Sequence, residues 1–199
     1  MLKLVLASSS RYRKGLLERL QLPFQCKSPD IDETRHSGES PENLVKRLSE
    51  EKARALATDF PQHLIIGSDQ VAVLDSLSLD KTGYETDILT KPGCYKAAFE
   101  QLKSQSGNRV TFLTGLALLN SETNVVEVDI AVTEVVFRQL TNKEIDRYLR
   151  KDTPYNCAGS FKSEGLGITL FEGVYGSDPT ALIGLPLIKL SNMLRQQNI

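Results

Sequence analysis

The fold turns on the opening run Leu2-Lys3-Leu4-Val5-Leu6-Ala7-Ser8-Ser9-Ser10-Arg11-Tyr12-Arg13-Lys14. Residues 2–7 read as a buried strand, and the three serines hand the chain to a helix predicted over about residues 11–20. The first backbone N–H groups of such a helix have no partner within it and face the turn. The helix macrodipole adds positive potential at the same spot, and Arg11, Arg13 and Lys14 reinforce it. A turn built this way attracts an anion, most naturally a phosphate.

The helical wheel sharpens the point. Leu16, Leu17 and Leu20 form the apolar stripe, and Arg13 falls within it. An arginine there snorkels past the leucines, pairs with a structural carboxylate, or faces a cavity that holds an anion.

At 199 residues the chain is expected to form one large domain or two intimately packed lobes. A hydrophobic share of 40% with 25% charged residues is that of an ordinary globular protein with a sizeable core. The net charge of −1 argues against a dedicated nucleic-acid binder. Apolar runs such as Gly115-Leu116-Ala117-Leu118-Leu119 are too short to span a bilayer, so no membrane role is expected. The N-terminal run carries a lysine and lacks a small-residue cleavage site, so it does not read as a secretory signal. Cys26, Cys94 and Cys157 form no Cys-x-x-Cys pair, and free thiols in a reducing cytoplasm are the simplest reading. With only His36 and His63 present, the sequence argues against a histidine zinc site or a serine–histidine hydrolase, and any metal is expected to be a hard ion on oxygen ligands, magnesium or manganese.

Further along, a short strand is expected near Phe24-Gln25-Cys26, followed by a polar loop with Asp30, Asp32 and Glu33. Ser40 and Pro41 open a helix to about Thr58, without the fuller capping box because Asn43 stands three residues on. Leu64-Ile65-Ile66 is a buried strand delivering Gly67-Ser68-Asp69-Gln70 and continuing through Val71-Ala72-Val73-Leu74. Residues 75–91 read as a polar, mobile loop, and Pro92 as the start of a helix to about Lys103. Arg109–Leu119 and Val125–Phe137 make a long hairpin around Asn120-Ser121-Glu122-Thr123-Asn124. Thr141 caps a helix to Arg150, glycine-rich segments follow through Gly159, Gly165 and Gly167, and Leu185–Gln196 is a final helix. This order predicts an α/β fold with a mixed, elongated sheet and flanking helices.

Four further features bear on chemistry. Leu44, Leu48 and Ala55 mark the buried face of the second helix, and Lys52 lies on that face, either as a snorkelling stem or as a second inward cation. Asp69 ends an apolar strand, where ligands of α/β sheets gather. A carboxylate there takes a proton from water, holds a metal, or simply closes a turn. Asp32-Glu33 offers adjacent carboxylates in a loop, suited to magnesium or to plain solvation. Lys91-Pro92 sets a cation just before an expected helix start, again a phosphate position if it is not merely solvated. No Gly-x-x-x-x-Gly-Lys-Ser/Thr loop and no Gly-x-Ser-x-Gly elbow occurs. Arg13, Lys52, Lys91 and the carboxylates remain, a set suited to phosphoryl chemistry by positioning and charge neutralisation.

The chain as a whole resembles the Maf family of nucleoside triphosphate pyrophosphatases. The resemblance rests on Leu6-Ala7-Ser8-Ser9-Ser10…Arg13, Asp32-Glu33, Leu44-Val45…Arg47-Leu48…Lys52-Ala53 and Gly67-Ser68-Asp69-Gln70-Val71. Lys91-Pro92, Ser106-Gly107…Thr114-Gly115 and Gly184-Leu185-Pro186-Leu187 complete it over nearly the full length. Cys157-Ala158-Gly159-Ser160-Phe161-Lys162-Ser163-Glu164-Gly165 resembles the branch assigned to 7-methyl-GTP rather than the branch preferring dTTP and UTP. Two departures stand out: Arg11 replaces a frequent proline, and the loop between Asp75 and Lys91 is longer than usual.

The resemblance implies a single Maf-like domain over residues 1–199, with two lobes around a cleft and a fold similar to inosine triphosphate pyrophosphatases. It implies a cytoplasmic homodimer, a house-cleaning hydrolase of nucleotide metabolism that uses magnesium or manganese to release pyrophosphate. By the same resemblance Asp69 is the proton acceptor, and Tyr12, Gln70 and Glu164 select the base. The expected division of labour has Ser8, Ser10, Arg13, Lys52 and Lys91 on the triphosphate and Glu33 with Asp69 on the metal. A dTTP/UTP pyrophosphatase and a non-catalytic nucleotide-binding division regulator are the rival readings.

Overall fold

A computed structural model describes residues 2–74 and 87–199. The described elements follow the sequence expectation in order. They run β1 (Lys3–Ala7), α1 (Arg11–Glu18), β2 (Phe24–Lys27), α2 (Pro41–Arg54), β3 (His63–Leu74) and β4 (Asp87–Leu89). Then come α3 (Tyr95–Gln105), β5 (Arg109–Asn120), β6 (Val125–Phe137), α4 (Asn142–Asp152), β7 (Phe171–Gly176) and α5 (Leu187–Gln196). The seven strands form one mixed sheet of order β2-β1-β3-β5-β6-β7, with β4 paired to β3. β1 runs parallel to both β2 and β3, whereas β4 lies antiparallel to β3 and β7 antiparallel to β6.

The chain divides into two compact units. The first comprises Met1–Gln70, Leu113–Ala131 and Ser177–Ile199. Side-chain alternation along its strands sorts two cores onto opposite faces of the sheet. Leu4, Leu6, Leu64, Ile66, Leu116 and Leu118 pack with Leu16 and Leu17 of α1 and with Leu187, Leu190, Met193 and Leu194 of α5. Val5, Ala7, Ile65, Ala117 and Leu119 pack with Ala53 and Leu56. Each fully buried leucine or isoleucine in these cores contributes about 1.5–3 kcal/mol relative to exposure. Helix α2 approaches this second face unusually closely. A Cβ on Gly67 would stand 2.0 Å from Ser49 O, and one on Gly115 would stand 2.4 Å from Val45 O.

The second unit comprises Val71–Phe112 and Val132–Gly176. Its interior holds an aromatic cluster in which Phe161 meets Phe112, Phe137 and Phe171 edge to face, with centroids 5.3, 5.7 and 4.8 Å away. Gly159 takes φ 73° beside this cluster, and a Cβ there would press on Phe112 and Phe161. Helix α4 carries a full capping box between Thr141 and Glu144.

Several boundaries differ from expectation for identifiable reasons. Asp87–Leu89, read as part of the polar loop, is a strand because it pairs with residues 72–74. The remainder of that expected loop, residues 75–86, lies outside the described residues. Helix α3 starts at Tyr95 rather than at Pro92, since Gly93 adopts φ 71° and its N–H donates to Tyr155 O at 2.9 Å. Helix α2 ends at Arg54, so Ala55 is its exposed C-cap and not a marker of the buried face. Strand β7 falls where only glycine-rich segments were expected.

Candidate functional site

The site begins at the carboxyl end of β3, where alternation sends consecutive side chains to opposite faces. Gly67 and Asp69 face α2, while Ser68 and Gln70 face the segment that precedes α5. With no side chain at Gly67, α2 lies close enough for Ser49 Oγ to accept the Asp69 N–H at 3.0 Å while donating to Val45 O at 2.6 Å. Lys52 sits one turn beyond Ser49, so the same approach brings its ammonium 2.5 Å from Asp69 Oδ1. Glu33 Oε1 lies 2.6 Å from the same nitrogen. The Lys52 side chain is 7% exposed and that of Asp69 13%, whereas Glu33 is 54% exposed. One buried cation thus joins two carboxylates that lie 36 residues apart in the chain.

The loop bearing Glu33 is fastened from α2 as well. Arg47 grips Glu39 with two hydrogen bonds, Nε to Oε1 at 2.7 Å and Nη2 to Oε2 at 2.9 Å. It also donates from Nη2 to Thr34 O at 3.1 Å. This bidentate grip, assisted by the His36 N–H, holds the Glu39 carboxyl down at about 2. Asp32, the neighbour of Glu33, is turned to the Thr34 N–H at 2.9 Å and shapes the loop.

On the other face, Arg13 rises from the first turn of α1 as the wheel predicts. Its Nε donates to Gly184 O at 2.8 Å. Burial pulls its pKa down, and the negative charges of Asp69 and Glu33 push the other way. The guanidinium therefore shares the electrostatic neighbourhood of Lys52, although it comes from the opposite side of the sheet. No described residue bonds its Nη groups. Ser10 caps α1, accepting from Arg13 N at 3.4 Å, and buried Ser8 accepts from Ser10 N at 3.1 Å. Tyr12 presents its ring to the Arg11 guanidinium at 4.9 Å, so that ring already holds a cation.

The Gln70 amide is largely committed within the protein. Its Nε2 faces Thr114 Oγ1 at 2.9 Å, Ala181 O at 2.9 Å and Leu182 O at 3.2 Å. Its carbonyl oxygen has no hydrogen bond among the described residues. Ser68 Oγ places its single proton between Gly115 O at 2.8 Å and Gly184 O at 3.0 Å.

Lys91 and Glu164 belong to the second unit, and both are exposed. Lys91 does not immediately precede a helix, because α3 starts only at Tyr95. Glu164 follows a segment anchored by buried Phe161, by Lys162 N donating to Tyr148 Oη at 3.0 Å, and by Gln105 Nε2 donating to Gly159 O at 3.0 Å. Its own recorded partner is the Ser163 hydroxyl at 3.4 Å, so the carboxylate is turned to solvent.

The donor set suits a hard cation. Glu33 and Asp69 supply carboxylate oxygens, and no group of three or more acidic, histidine or cysteine side chains occurs among the described residues. Two carboxylates suit magnesium, which takes one or two and completes its shell with water and phosphate oxygens. No disulfide joins Cys26, Cys94 and Cys157, and no described helix is long and apolar enough to cross a membrane.

Of the residues that sequence reading named, Lys52, Asp69 and Glu33 meet directly, and Arg13 lies within the electrostatic influence of the two carboxylates. That reading gave no role to Ser49 or the segment 178–187, which work largely through hydrogen bonds to backbone groups, or to the Arg47–Glu39 ion pair that fastens the loop. Asp178-Pro179-Thr180 carries a turn signature that could have marked the segment 178–187.

Residues 3–197 match the family described as Maf-like protein. The chain is 56% identical over 196 residues to a 7-methyl-GTP pyrophosphatase of Pseudomonas syringae pv. tomato, covering 98% of this chain and 97% of that protein. It is 55% identical over 196 residues to a protein of the same name from Pseudomonas savastanoi pv. phaseolicola, with the same coverage. A third, from Pseudomonas fluorescens, is 56% identical over 199 residues, covering all of this chain and 98% of its own length.

Proposed function

This chain belongs to the Maf family, and on that footing we propose that it hydrolyses 7-methyl-GTP to the nucleoside monophosphate and pyrophosphate. The observation that carries the chemistry is the meeting of Lys52, Glu33 and Asp69 at the carboxyl end of β3, with Arg13 within the electrostatic influence of the two carboxylates.

Arg13 and Lys52 bind phosphoryl oxygens and offset their charge, with Ser8 and Ser10 shaping the turn beneath them. In a partly dry site such contacts are worth on the order of several kcal/mol together. Glu33 and Asp69 would hold a magnesium or manganese ion, which supplies charge neutralisation at the phosphates when bound. Asp69 orients a water and accepts its proton as the oxygen bonds to the α-phosphorus. The bond from that phosphorus to its bridging oxygen breaks, and pyrophosphate leaves with the electron pair.

Base choice follows from charge. A 7-methylated guanine is cationic, and the Tyr12 ring, which already holds Arg11, suits such a partner. Gln70 offers the base its free carbonyl oxygen. The protein works in the cytoplasm as a homodimer in this reading.

A substrate panel tests it: pyrophosphate release from 7-methyl-GTP, GTP, UTP and dTTP by purified protein with magnesium. The expected order places 7-methyl-GTP first. A strong UTP or dTTP preference overturns the base assignment, and no release from any substrate overturns the enzyme.

A further inference from the structure

The first unit contains a second buried polar cluster, remote in sequence from Asp69 yet wired into the site. Asp178 is 2% exposed and Thr180 6%. Asp178 Oδ1 accepts the Thr180 N–H at 3.0 Å and faces the Thr180 hydroxyl at 2.7 Å. Its Oδ2 accepts the Ile188 N–H at 2.7 Å at the start of α5. The Thr180 hydroxyl in turn accepts the Leu187 N–H and lies against Leu185 O, both at 2.8 Å. One carboxylate and one hydroxyl therefore clamp both ends of the segment 180–187.

That clamped segment is the surface against which the site is built. Ala181 O and Leu182 O receive the Gln70 amide, and Gly184 O receives both Ser68 and the Nε of Arg13. Ser68 and Gln70 flank Asp69 on the strand. Gly184 sits at φ 119°, with its N–H donating to Ala181 O at 2.9 Å, a backbone state that needs holding in place. A guanidinium fixed through Nε has its planar fork aimed and its Nη edge free for a phosphate.

We propose that Asp178 and Thr180 are positioning residues for phosphate recognition, setting the Gly184 carbonyl that aims the Arg13 guanidinium. The inference rests on Arg13 binding the triphosphate, as in the function proposed above. Removing the Thr180 hydroxyl lets the carbonyl drift, and the fork swings away from the phosphates while Arg13 itself stays present. Displacements of about an ångström at a substrate clamp cost up to about a hundredfold in rate.

A double-mutant cycle on the full chain tests this, with kcat/KM for 7-methyl-GTP as the readout and thermal melting as the check on folding. Thr180→Val is expected to lower kcat/KM on the order of tenfold to a hundredfold, and Thr180→Ser to restore it. In an Arg13→Lys background, which has no fork to aim, Thr180→Val is expected to cost less than about threefold more. Equal losses in both backgrounds overturn the proposal, because the segment then acts through general structure. An Arg13→Lys variant with undiminished kcat/KM overturns the triphosphate role of Arg13 itself and this inference with it. Should Thr180→Val fail to fold, Asp178→Asn enters the same cycle with the same two outcomes.

Discussion

The Lys52 ammonium stands 2.5 Å from Asp69 Oδ1, with only 7% of the lysine side chain and 13% of the aspartate side chain exposed. Breaking such a pair from one side leaves a carboxylate without its counter-charge in a poorly solvated place. Lys52→Met is therefore expected to destabilise the protein by about 3 kcal/mol and to depress turnover at least about a hundredfold. Denaturant unfolding and a pyrophosphate assay read the two effects. An unchanged unfolding midpoint would remove the pair from the account of stability.

Gly67 is where the sheet admits the helix. A Cβ there would meet Ser49 O at 2.0 Å and Ala53 N at 2.9 Å, both backbone atoms. Gly67→Ala must push α2 outward, carrying Lys52 from Asp69, and an overpacked contact of this kind costs about 1–3 kcal/mol or more. Melting temperature and kcat should fall together. A variant that melts later than the parent and turns over normally would contradict the close approach.

Acid stability should depend on Glu39. Its carboxyl is held at about 2, below the ordinary 4.5, chiefly by hydrogen bonding from Arg47. A folded value below the unfolded one adds stability above about 4.5, and that stability is lost as pH falls toward about 2. Glu39→Gln should lower the melting temperature near neutral pH, with the gap to the parent closing across that acid window. A gap that persists at the acid end would show that the carboxylate charge is not what matters.

Glu164 is exposed and, among the described residues, bonded only to its neighbour's hydroxyl, so its removal leaves the fold alone. Glu164→Gln should raise KM for 7-methyl-GTP while leaving the melting temperature unchanged and the rate with UTP little affected. A uniform loss across bases would assign it to the triphosphate instead of the guanine.

Local signals made much of this molecule legible in the sequence. The strand, three serines and cationic turn of residues 2–14 gave β1 and α1, and the inward lean of Arg13 followed from three leucines on a wheel. Lys52 and Asp69 were legible for similar reasons, one as a cation on an apolar face and one as an acid ending an apolar strand. What escaped reading depends on distant partners. Strand β4 is three residues long and exists by pairing with β3. Strand β7, Phe-Glu-Gly-Val-Tyr-Gly, is mostly exposed along an edge and carries little apolar alternation. Ser49 and the segment 180–187 act largely through backbone carbonyls and N–H groups, which look alike under any sequence, and Arg47 acts through an ion pair with Glu39 whose partner the sequence does not name.

The central claim is that the carboxylate of Asp69, set between Lys52 and the neighbourhood of Arg13, drives hydrolysis. Asp69→Asn keeps the size of the side chain and removes its charge and its capacity to take a proton. Turnover of 7-methyl-GTP by this variant, measured with magnesium after its folded state is established by circular dichroism and melting, is the direct test. Near-complete loss of pyrophosphate release from a folded variant is the expected result, and release close to the parent rate contradicts the claim.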